Sequence, residues 1–308
     1  MRCLNQQVFW VTELYKEVES KVSKTRWVAR LWPAWLIVLF ASGWLYGCAP
    51  TFSPDVPADI SQVGTWHQAS LQTSSGLREV HFVEAGTPGK PLVVFIHGTP
   101  GSWRGFLSYL ASPTLQSQTH MLALDRPGFG RSQVAGPLPN FADQAKAVGI
   151  LLERNQSGKP ALVVGHSLGG SIGYRVAIDF PNEVGALLAL SSAVDPSLSK
   201  PRWYNHIARI PGIHFLVPKD LATANKEMMP LVDHLKEMRS ALAHLSVPIT
   251  IVQGGKDPLV DTGNVTFAQQ LMTKADLKVV DYPEHGHFIV WEEPQDIIQE
   301  VLALVAKL

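Results

Sequence analysis

Residues 161–170 read ALVVGHSLGG, an apolar run that ends in a glycine-rich turn and leads into a helical pattern. The apolar residues Ala161–Val164 indicate a strand buried on both faces of a sheet. Gly165 and Gly169 flank Ser167, and side chains at these two positions would clash with a sharply turned backbone. The stretch therefore predicts a strand–turn–helix unit. It places the hydroxyl of Ser167 at the carboxyl end of the sheet, where open α/β sheets bind ligands.

Apolar runs of the same character recur along the chain and alternate with helical patterns. The predicted strands are Thr65–Thr73, Arg78–Glu84, Leu92–Ile96, Met121–Leu124, Ala161–Val164, Ala186–Leu190, Ile249–Val252 and Leu277–Tyr282. The predicted helices are Phe141–Arg154, Gly170–Asp179 and Gln295–Lys307. This alternation indicates the α/β class, with a mostly parallel, doubly wound sheet covered by helices on both faces.

The first 47 residues differ in composition from the rest of the chain. They hold six of the 26 Lys and Arg residues, three of the 26 acids and five of the nine tryptophans. The whole chain has a formal net charge of zero, so it shows no basic excess that would indicate nucleic acid as a partner. With 46% hydrophobic and 17% charged residues, the composition is that of a folded chain and excludes general disorder.

The order of charge, apolar residues and cysteine predicts an N-terminal targeting segment. Basic residues precede the uncharged, mostly apolar residues 31–47, and Cys48 follows, which is the order of a secretory signal. Residues 45–48, LYGC, resemble a bacterial lipobox, in which the cysteine becomes the lipidated first residue of the mature protein. We expect residues 1–47 to be a signal peptide, with Cys48 as the lipid-attachment site, or an uncleaved membrane anchor. A buried hydrophobic helix is the remaining alternative.

The residues after this segment predict a tether followed by one domain. Residues 48–62 contain three prolines, which favour an extended linker. Residues 63–308 carry the alternating pattern and form the predicted domain. We expect this domain to lie outside the cytoplasm, in the bacterial cell envelope, with the membrane as a partner through the N-terminal anchor. The domain contains no cysteine, which excludes thiol nucleophiles, cysteine zinc sites and iron–sulfur clusters from it.

A serine hydroxyl needs a base to become a good nucleophile, and histidine has the suitable pKa. In sheets of this architecture the acid and then the base follow the serine in the chain. The candidates for the base are His206, His214, His234, His244, His285 and His287. The first four lie in or beside a long connection between strands, whereas His285 and His287 follow the last strand at the edge that carries Ser167. We predict His287 as the base, because Gly286 permits a tight turn that points the next side chain inward; His285 is the alternative.

The acid is expected after a strand that lies between the serine and the histidine in the chain. Asp257 follows the run Ile249–Gln253 directly and is the predicted acid. Its role is to hold the imidazole tautomer and to stabilise the imidazolium. Asp195 and Asp261 are the alternatives.

A tetrahedral oxyanion requires two backbone N–H donors. We assign one to Leu168, the residue after the serine, and the other to Thr99, in the loop after the Leu92–Ile96 strand. The hydroxyl of Thr99 is a candidate for a third hydrogen bond. His97 in the same loop is expected to be structural, because it precedes Ser167 in the chain. This chemistry requires no cofactor, and we predict no metal site.

Five motifs in this order resemble those of the α/β-hydrolase superfamily, over about residues 78–308. They are His97-Gly98-Thr99-Pro100-Gly101, Asp125-Arg126-Pro127-Gly128-Phe129-Gly130-Arg131-Ser132, Gly165-His166-Ser167-Leu168-Gly169-Gly170, Gly255-Lys256-Asp257, and Gly286-His287-Phe288 followed by Glu293-Pro294. The resemblance implies the α/β-hydrolase fold and structural roles for Asp125 and Arg126. Haloalkane dehalogenases and epoxide hydrolases share similar loops but use an aspartate nucleophile. Because this chain has Ser167 instead, we do not expect those two chemistries.

The leading expectation is a serine hydrolase of carboxylic esters that forms an acyl-enzyme on Ser167. Its substrate would be a small-molecule ester or another acyl compound. The same triad also serves carbon–carbon bond hydrolases, amidases and peptidases, thioesterases and acyltransferases, and these remain alternatives because the fold hosts many reactions. A non-catalytic, membrane-tethered binding protein on the same scaffold is the alternative from another class.

Residues 196–246 form a long interval without a strand pattern, and intervals of this length are usually functional. We predict a small, mostly helical lid over the sheet. Its aromatic and methionine side chains either line a pocket for an apolar acyl or alcohol group or pack the lid against the sheet. The polar run Asn225-Lys226-Glu227 is expected on a solvated surface, with a polar substrate contact as the alternative.

Overall fold

One sheet of eight strands runs through the part of the chain that the computed structural model describes, residues 63–208, 210 and 217–308. The strands are β1 (Thr65–Thr73), β2 (Gly76–Gly86), β3 (Leu92–Ile96), β4 (His120–Leu124), β5 (Ala161–His166), β6 (Val184–Leu190), β7 (Ile249–Gly254) and β8 (Leu277–Tyr282). Their order is β1-β2-β4-β3-β5-β6-β7-β8. Strand β2 is antiparallel to β1 and β4, and the other neighbouring pairs are parallel, which confirms the predicted mostly parallel sheet.

The predicted strands are all present, and three of them, β1, β3 and β8, agree with the sequence prediction at both ends. The other strands run one or two residues further at an end. In β5, for example, Gly165 and His166 still pair with Ala189 and Leu190 of β6. Glycine and histidine interrupt the apolar pattern there, but the hydrogen-bonded ladder continues through their backbone.

Helices cover both faces of the sheet. They are α1 (Leu107–Leu110), α2 (Pro113–Gln118), α3 (Phe141–Leu152), α4 (Leu168–Asp179), α5 (Trp203–Ile207), α6 (Lys219–Met228), α7 (Leu231–Leu242), α8 (Gly263–Leu271), α9 (Ile289–Glu292) and α10 (Pro294–Val305). Short 3-10 helices occupy Trp103–Phe106 and Gly130–Gln133. The sequence patterns predicted α3, α4 and α10 but not α1, α2, α8 or α9, which are too short to show a clear periodicity.

Alternate residues of the buried strands belong to two separate cores, because successive side chains of a strand point to opposite faces. In β3, Leu92, Val94 and Ile96 lie in one core, and Val93 and Phe95 lie in the other. Helices α3, α4 and α7 cover the first core, and α1, α2 and α10 cover the second. The sheet is thus sandwiched as predicted, and its carboxyl edge remains available for a site.

The interval between β6 and β7, here called the insertion (residues 196–246), contains the helices α5, α6 and α7. Helix α7 buries Leu231, Leu235 and Met238 in the first core.

Arg209 and residues 211–216 of this insertion lie outside the described residues, as do the predicted leader, the tether and Cys48. Those N-terminal assignments stay predictions. Within the described residues, no helix combines the length and the hydropathy needed to cross a bilayer.

A buried carboxylate fastens the β1–β2 turn to α3. The backbone N–H of Ser74 donates to Oδ2 of Asp143 at 3.2 Å, and the hydroxyl of Ser74 donates to the same oxygen. Lys146 Nζ donates to Oδ1 of Asp143 at 3.1 Å from an exposed position. Burial acts to raise the pKa of Asp143, but the hydrogen bonds from Ser74 and Lys146 outweigh it and hold the pKa below its usual value.

We expect Asp143→Asn to lower the free energy of unfolding by about 1–3 kcal/mol at neutral pH, because it removes charge-assisted hydrogen bonds. Lys146→Gln, which removes only the exposed partner, should cost less than about 1 kcal/mol. Because the pKa of Asp143 is lower in the folded protein than in the unfolded chain, this group stabilises the fold at pH values above its unfolded pKa of about 4. The stabilisation is lost as the pH falls through the pKa of Asp143 in the folded protein. Urea unfolding from pH 7 to pH 3 measures both effects, and equal losses for the two variants would contradict the assignment.

Candidate active site

Ser167 lies at a sharp turn between β5 and α4, with φ of 55° and ψ of −124°. A Cβ atom at Gly165 would lie 2.4 Å from the carbonyl oxygen of Gly169, and one at Gly169 would lie 2.1 Å from that of Ile96. Neither position can therefore hold a side chain, as the sequence predicts. The N–H of Ser167 donates to the carbonyl of Leu190 at 2.8 Å, which ties the turn to β6.

The predicted acid and base are brought together. Nδ1 of His287 is 2.8 Å from Oδ2 of Asp257, and both side chains are buried. The other oxygen of Asp257 accepts the N–H groups of Leu259 and Val260 at 2.8 and 2.9 Å, and Gln253 Nε2 donates to Oδ2 at 3.2 Å. Asp257 thus follows β7 and His287 follows β8, both at the carboxyl edge of the sheet.

The hydrogen bonds to Asp257 determine its ionisation. Burial acts to raise the pKa of this carboxyl, but the hydrogen bonds from His287, Val260 and Leu259 outweigh it, so the pKa lies below its usual value. Asp257 is therefore ionised at neutral pH and accepts a proton-bearing Nδ1 from His287. In that tautomer, Nε2 of His287 is the ring nitrogen that can take a proton.

His166 connects the backbone of His287 to the turn that holds Ser167. Its Nε2 lies 3.1 Å from the backbone carbonyl oxygen of His287, and because a carbonyl only accepts, Nε2 carries the proton. The two imidazole rings lie 5.0 Å apart, and the ring of Trp291 lies 5.2 Å from that of His166. Complete burial, with the nearby His287 as a smaller cause, lowers the pKa of His166 to about 3, so this ring stays neutral.

Five of the alternative acids and bases have other partners, and His206 is exposed in α5. His285 Nε2 lies 3.0 Å from Oε1 of Glu293, whereas Asp195 and Asp261 accept backbone N–H groups in their own turns, from Ser197 and Gly263. Of the histidines in the insertion, His234 contacts the carbonyl of Pro139 and His244 that of Ser240, while His214 is not described.

Gly286 does not adopt the glycine-specific turn that the sequence predicts before His287. Gly286 is absent from the described residues with positive φ, and a Cβ atom there would meet only the carbonyl oxygen of Lys256, at 3.8 Å. An alanine would fit at this position. The close approach lies instead at Gly254, where a Cβ atom would lie 2.2 Å from the carbonyl oxygen of Gly286. This contact brings the end of β7 against the loop that carries the base.

The two predicted oxyanion donors belong to two segments that reach Ser167. Leu168 is the first residue of α4, and the N–H groups of a first helical turn have no acceptor within the helix. The loop that contains Thr99 also reaches the serine, because a Cβ atom at Gly98 would lie 3.0 Å from Cβ of Ser167. The hydroxyl of Thr99, however, donates to Oε2 of Glu227 at 2.7 Å. Its proton is used there, so the expected third hydrogen bond to the oxyanion has no support.

His97, Asp125 and Arg126 have structural surroundings, as expected. Nε2 of His97 accepts the N–H of Arg126 at 2.9 Å, and its Nδ1 donates to the carbonyl of Gly98 at 2.7 Å. Burial, with the charge of Arg126 as a smaller cause, lowers the pKa of His97 well below its usual value. Asp125 accepts the N–H groups of Trp103 and Arg131 at 3.1 and 2.9 Å.

The expectation of a solvated surface for Asn225 and Glu227 is wrong. Only 1% of Glu227 is exposed, and its carboxylate forms an ion pair with the fully buried Arg126 at 2.8 Å. Asn225 is also buried and exchanges hydrogen bonds with Asn205 of α5. One signal for Glu227 was available: a buried arginine needs an acidic partner. The sequence does not show which acid this is, since the two residues lie 101 positions apart.

Comparisons with known proteins give a consistent family. Residues 93–300 match the model of the Alpha/beta hydrolase family. The chain is 26% identical to the dihydrolipoyllysine-residue acetyltransferase component of the acetoin cleaving system of Pseudomonas putida, over 78% of this chain and 70% of that protein. It is 29% identical to epoxide hydrolase 4 of Mus musculus, over 38% of this chain but only 32% of that protein.

The fold also matches solved structures. Cfl2 from Burkholderia cenocepacia superposes with a TM-score of 0.63 at 18% identity, over 82% of this chain and 100% of that one. A putative lipase from Acinetobacter baumannii superposes with a TM-score of 0.58 at 22% identity, over 80% of this chain and 93% of that one. The family match spans more than half of the chain, and the fold agrees with it. The chain belongs to the alpha/beta hydrolase family.

Proposed function

We propose that this protein is a serine hydrolase of carboxylic esters that works through an acyl-enzyme on Ser167. The observation that carries the proposal is the 2.8 Å contact between His287 Nδ1 and an ionised Asp257, beside a serine with a strained backbone. The pair fixes Nε2 of His287 as the proton acceptor, and a serine hydroxyl becomes nucleophilic when such a base is present. The strained turn exposes the hydroxyl at the edge where ligands bind.

The reaction follows from these positions. The hydroxyl oxygen of Ser167 attacks the acyl carbon while Nε2 of His287 takes its proton, and Asp257 stabilises the resulting imidazolium. The backbone N–H groups of Leu168 and Thr99 stabilise the negative oxygen of the tetrahedral intermediate. His287 then protonates the leaving alcohol. Water, activated by the same histidine, releases the acid and restores the free serine.

Ser167 favours acyl transfer over epoxide opening, despite the partial match to epoxide hydrolase 4. The opening of an epoxide in this fold relies on a carboxylate nucleophile, and a serine occupies the turn here. The same acyl-enzyme on Ser167 serves the hydrolysis of amides, thioesters and carbon–carbon bonds, and it also serves acyl transfer to an acceptor other than water. These reactions differ in the leaving group or in the acceptor. A scaffold that binds without catalysis differs from all of these, because its serine would not react.

We expect Ser167→Ala to lower kcat/KM for p-nitrophenyl esters by about 10⁴-fold or more, because the nucleophile is lost. The measurement is a series of rates from acetate to palmitate on the purified full-length protein. A maximum at one chain length would give the size of the acyl pocket. Equal rates for the variant and the wild type would contradict the mechanism. Covalent labelling of Ser167 by a fluorophosphonate without ester turnover would shift support to the other acyl substrates.

His287→Gln should lose activity by a similar factor, because it removes the proton acceptor. His285→Gln is the matched control: it changes the neighbouring histidine, which pairs with Glu293, and should keep rates within about twofold of wild type. The hydrolysis rates of both variants distinguish the roles of His285 and His287, and their thermal unfolding midpoints show whether each variant is folded. A loss in His285→Gln with activity retained in His287→Gln would reverse the assignment of the base.

The predicted N-terminal segment supports a proposal about location. We propose that Cys48 is lipidated and anchors the catalytic domain to the bacterial cell envelope. Metabolic labelling with an alkyne palmitate should mark the full-length protein in bacteria, and Cys48→Ala should abolish both the label and the cleavage before residue 48. Cys3→Ala is the control and should change neither. Membrane retention without label would indicate an uncleaved anchor.

A further inference from the structure

A carboxylate from the insertion is buried against the loop that carries one oxyanion donor. Glu227 of α6 accepts Arg126 Nη1 at 2.8 Å and Gln144 Nε2 at 2.7 Å on Oε1. Its Oε2 accepts Arg126 Nη2 at 3.0 Å and the hydroxyl of Thr99 at 2.7 Å. Four hydrogen bonds from three protein side chains therefore engage both oxygens.

Arg126 extends this network to the backbone next to Ser167. Its Nε donates to the carbonyl of His97 at 2.9 Å, and its Nη2 donates to that of Gly98 at 2.8 Å. The guanidinium is fully buried and planar, so it fixes both carbonyls relative to the carboxylate of Glu227. The Thr99 hydroxyl binds that carboxylate directly. The loop residues 97–99 are thus attached to Glu227 by two routes.

Helix α6 also contacts the loop that contains Arg126. A Cβ atom at Gly128 would lie 3.1 Å from Cγ2 of Thr223, one turn before Glu227 on the same helix. The helix thus approaches both loops at the carboxyl edge of the sheet. A shift of α6 would therefore move the carboxylate and, through it, the position of Thr99.

We propose that Glu227 is a positioning residue, which holds the backbone N–H of Thr99 where it can donate to the oxyanion. The geometry of the oxyanion hole therefore depends on how the insertion packs against the loop that contains Thr99. The inference rests on the proposed serine hydrolase function. A donor stabilises the transition state only when it lies within hydrogen-bond distance of the developing charge, and a displacement of about 1 Å costs up to about 100-fold in rate. Thr99 lies in a loop, so its position requires side chains such as these.

The surroundings of Glu227 argue against two simpler roles. A contact to the substrate would require a free oxygen, whereas both oxygens are engaged and the residue is 1% exposed. A purely stabilising role is a weak explanation for a buried ion pair, because desolvation offsets most of the attraction. A role in the geometry of the loop uses three of the four hydrogen bonds, those from Thr99 and Arg126.

The first test uses Glu227→Gln in the full-length protein. The variant keeps the shape of the side chain but turns an N–H₂ group toward donors, so one attachment of the loop is lost. We expect kcat for the preferred ester to fall about 10- to 100-fold with KM within about twofold of wild type. Inhibition by a boronic acid, whose serine adduct is tetrahedral, should weaken by the same factor as kcat/KM.

The matched control is Glu237→Gln, which changes an exposed carboxylate of α7 in the same insertion. We expect its kcat, KM and boronate affinity to equal those of the wild type. A change of similar size in both variants would show a general effect of charge on the insertion and would overturn the proposal.

A second pair of variants tests the same connection without disturbing the buried charge. Thr99→Ser keeps a hydroxyl for Glu227, so its kcat should be clearly higher than that of Thr99→Val. Thr99→Val removes the hydroxyl but keeps the backbone N–H, and it should lose about as much kcat as Glu227→Gln. When Thr99→Val and Glu227→Gln are combined, kcat should be about that of the slower single variant, because both changes break the same connection. If Glu227→Gln fails to fold, this pair decides the question alone.

The outcomes separate this inference from the proposed function. The first measurement tests the proposed function: the wild type should hydrolyse the ester, and Ser167→Ala should not. If the wild type shows no ester hydrolysis, both the proposed function and the role of Glu227 are overturned. With that turnover present, an unchanged kcat and boronate affinity in Glu227→Gln and in Thr99→Val, alongside lower unfolding midpoints, would reduce Glu227 to a structural residue. A raised KM with unchanged kcat would assign it to substrate binding. Either result would overturn the positioning role and leave the hydrolase function in place.

Discussion

The close approach of three backbone segments at Ser167 is the constraint on which the site depends. The carbonyl oxygens of Ile96 and Gly169 occupy the space that side chains at Gly169 and Gly165 would need. The space is filled by backbone rather than by flexible side chains, so it cannot yield to a substitution. The positive φ of Ser167 follows from this crowding, and so does the position of the hydroxyl beyond the end of β5.

The electrostatics of the site allow one route for a proton. Burial keeps His166 and His97 neutral, and each has its proton committed to a backbone carbonyl. Asp257 is ionised and fully covered, with hydrogen bonds to both oxygens. Among these groups, His287 alone has an ionised partner on one nitrogen and a second nitrogen for the reaction. A buried environment usually opposes charge, and here it keeps the imidazoles of His97 and His166 neutral.

Much of the fold, the sharp turn at Ser167 and the contact between Asp257 and His287 could be predicted, because local patterns determine them. Continuous apolar runs mark strands such as β3 and β7, and parallel strands collect the residues that follow them at one edge, which brought Asp257 and His287 together. The role of Glu227 could not be predicted in this way. Its helix looks polar in sequence, and its partner Arg126 is distant along the chain. Gly286 shows the opposite error: a glycine beside a functional residue suggested a turn that the backbone does not need.

The hydrogen bond from His166 to the carbonyl of His287 has a consequence for motion. His166 precedes Ser167 directly, so the segment that carries Ser167 is tied to the segment that carries His287. Because this bond joins them, we expect a displacement of the segment around His166 to carry the loop after β8 with it. The separation of Ser167 and the imidazole of His287 should then vary less than the absolute position of either residue. A reaction that requires these two atoms to meet within a narrow range of distance benefits from such correlated displacement.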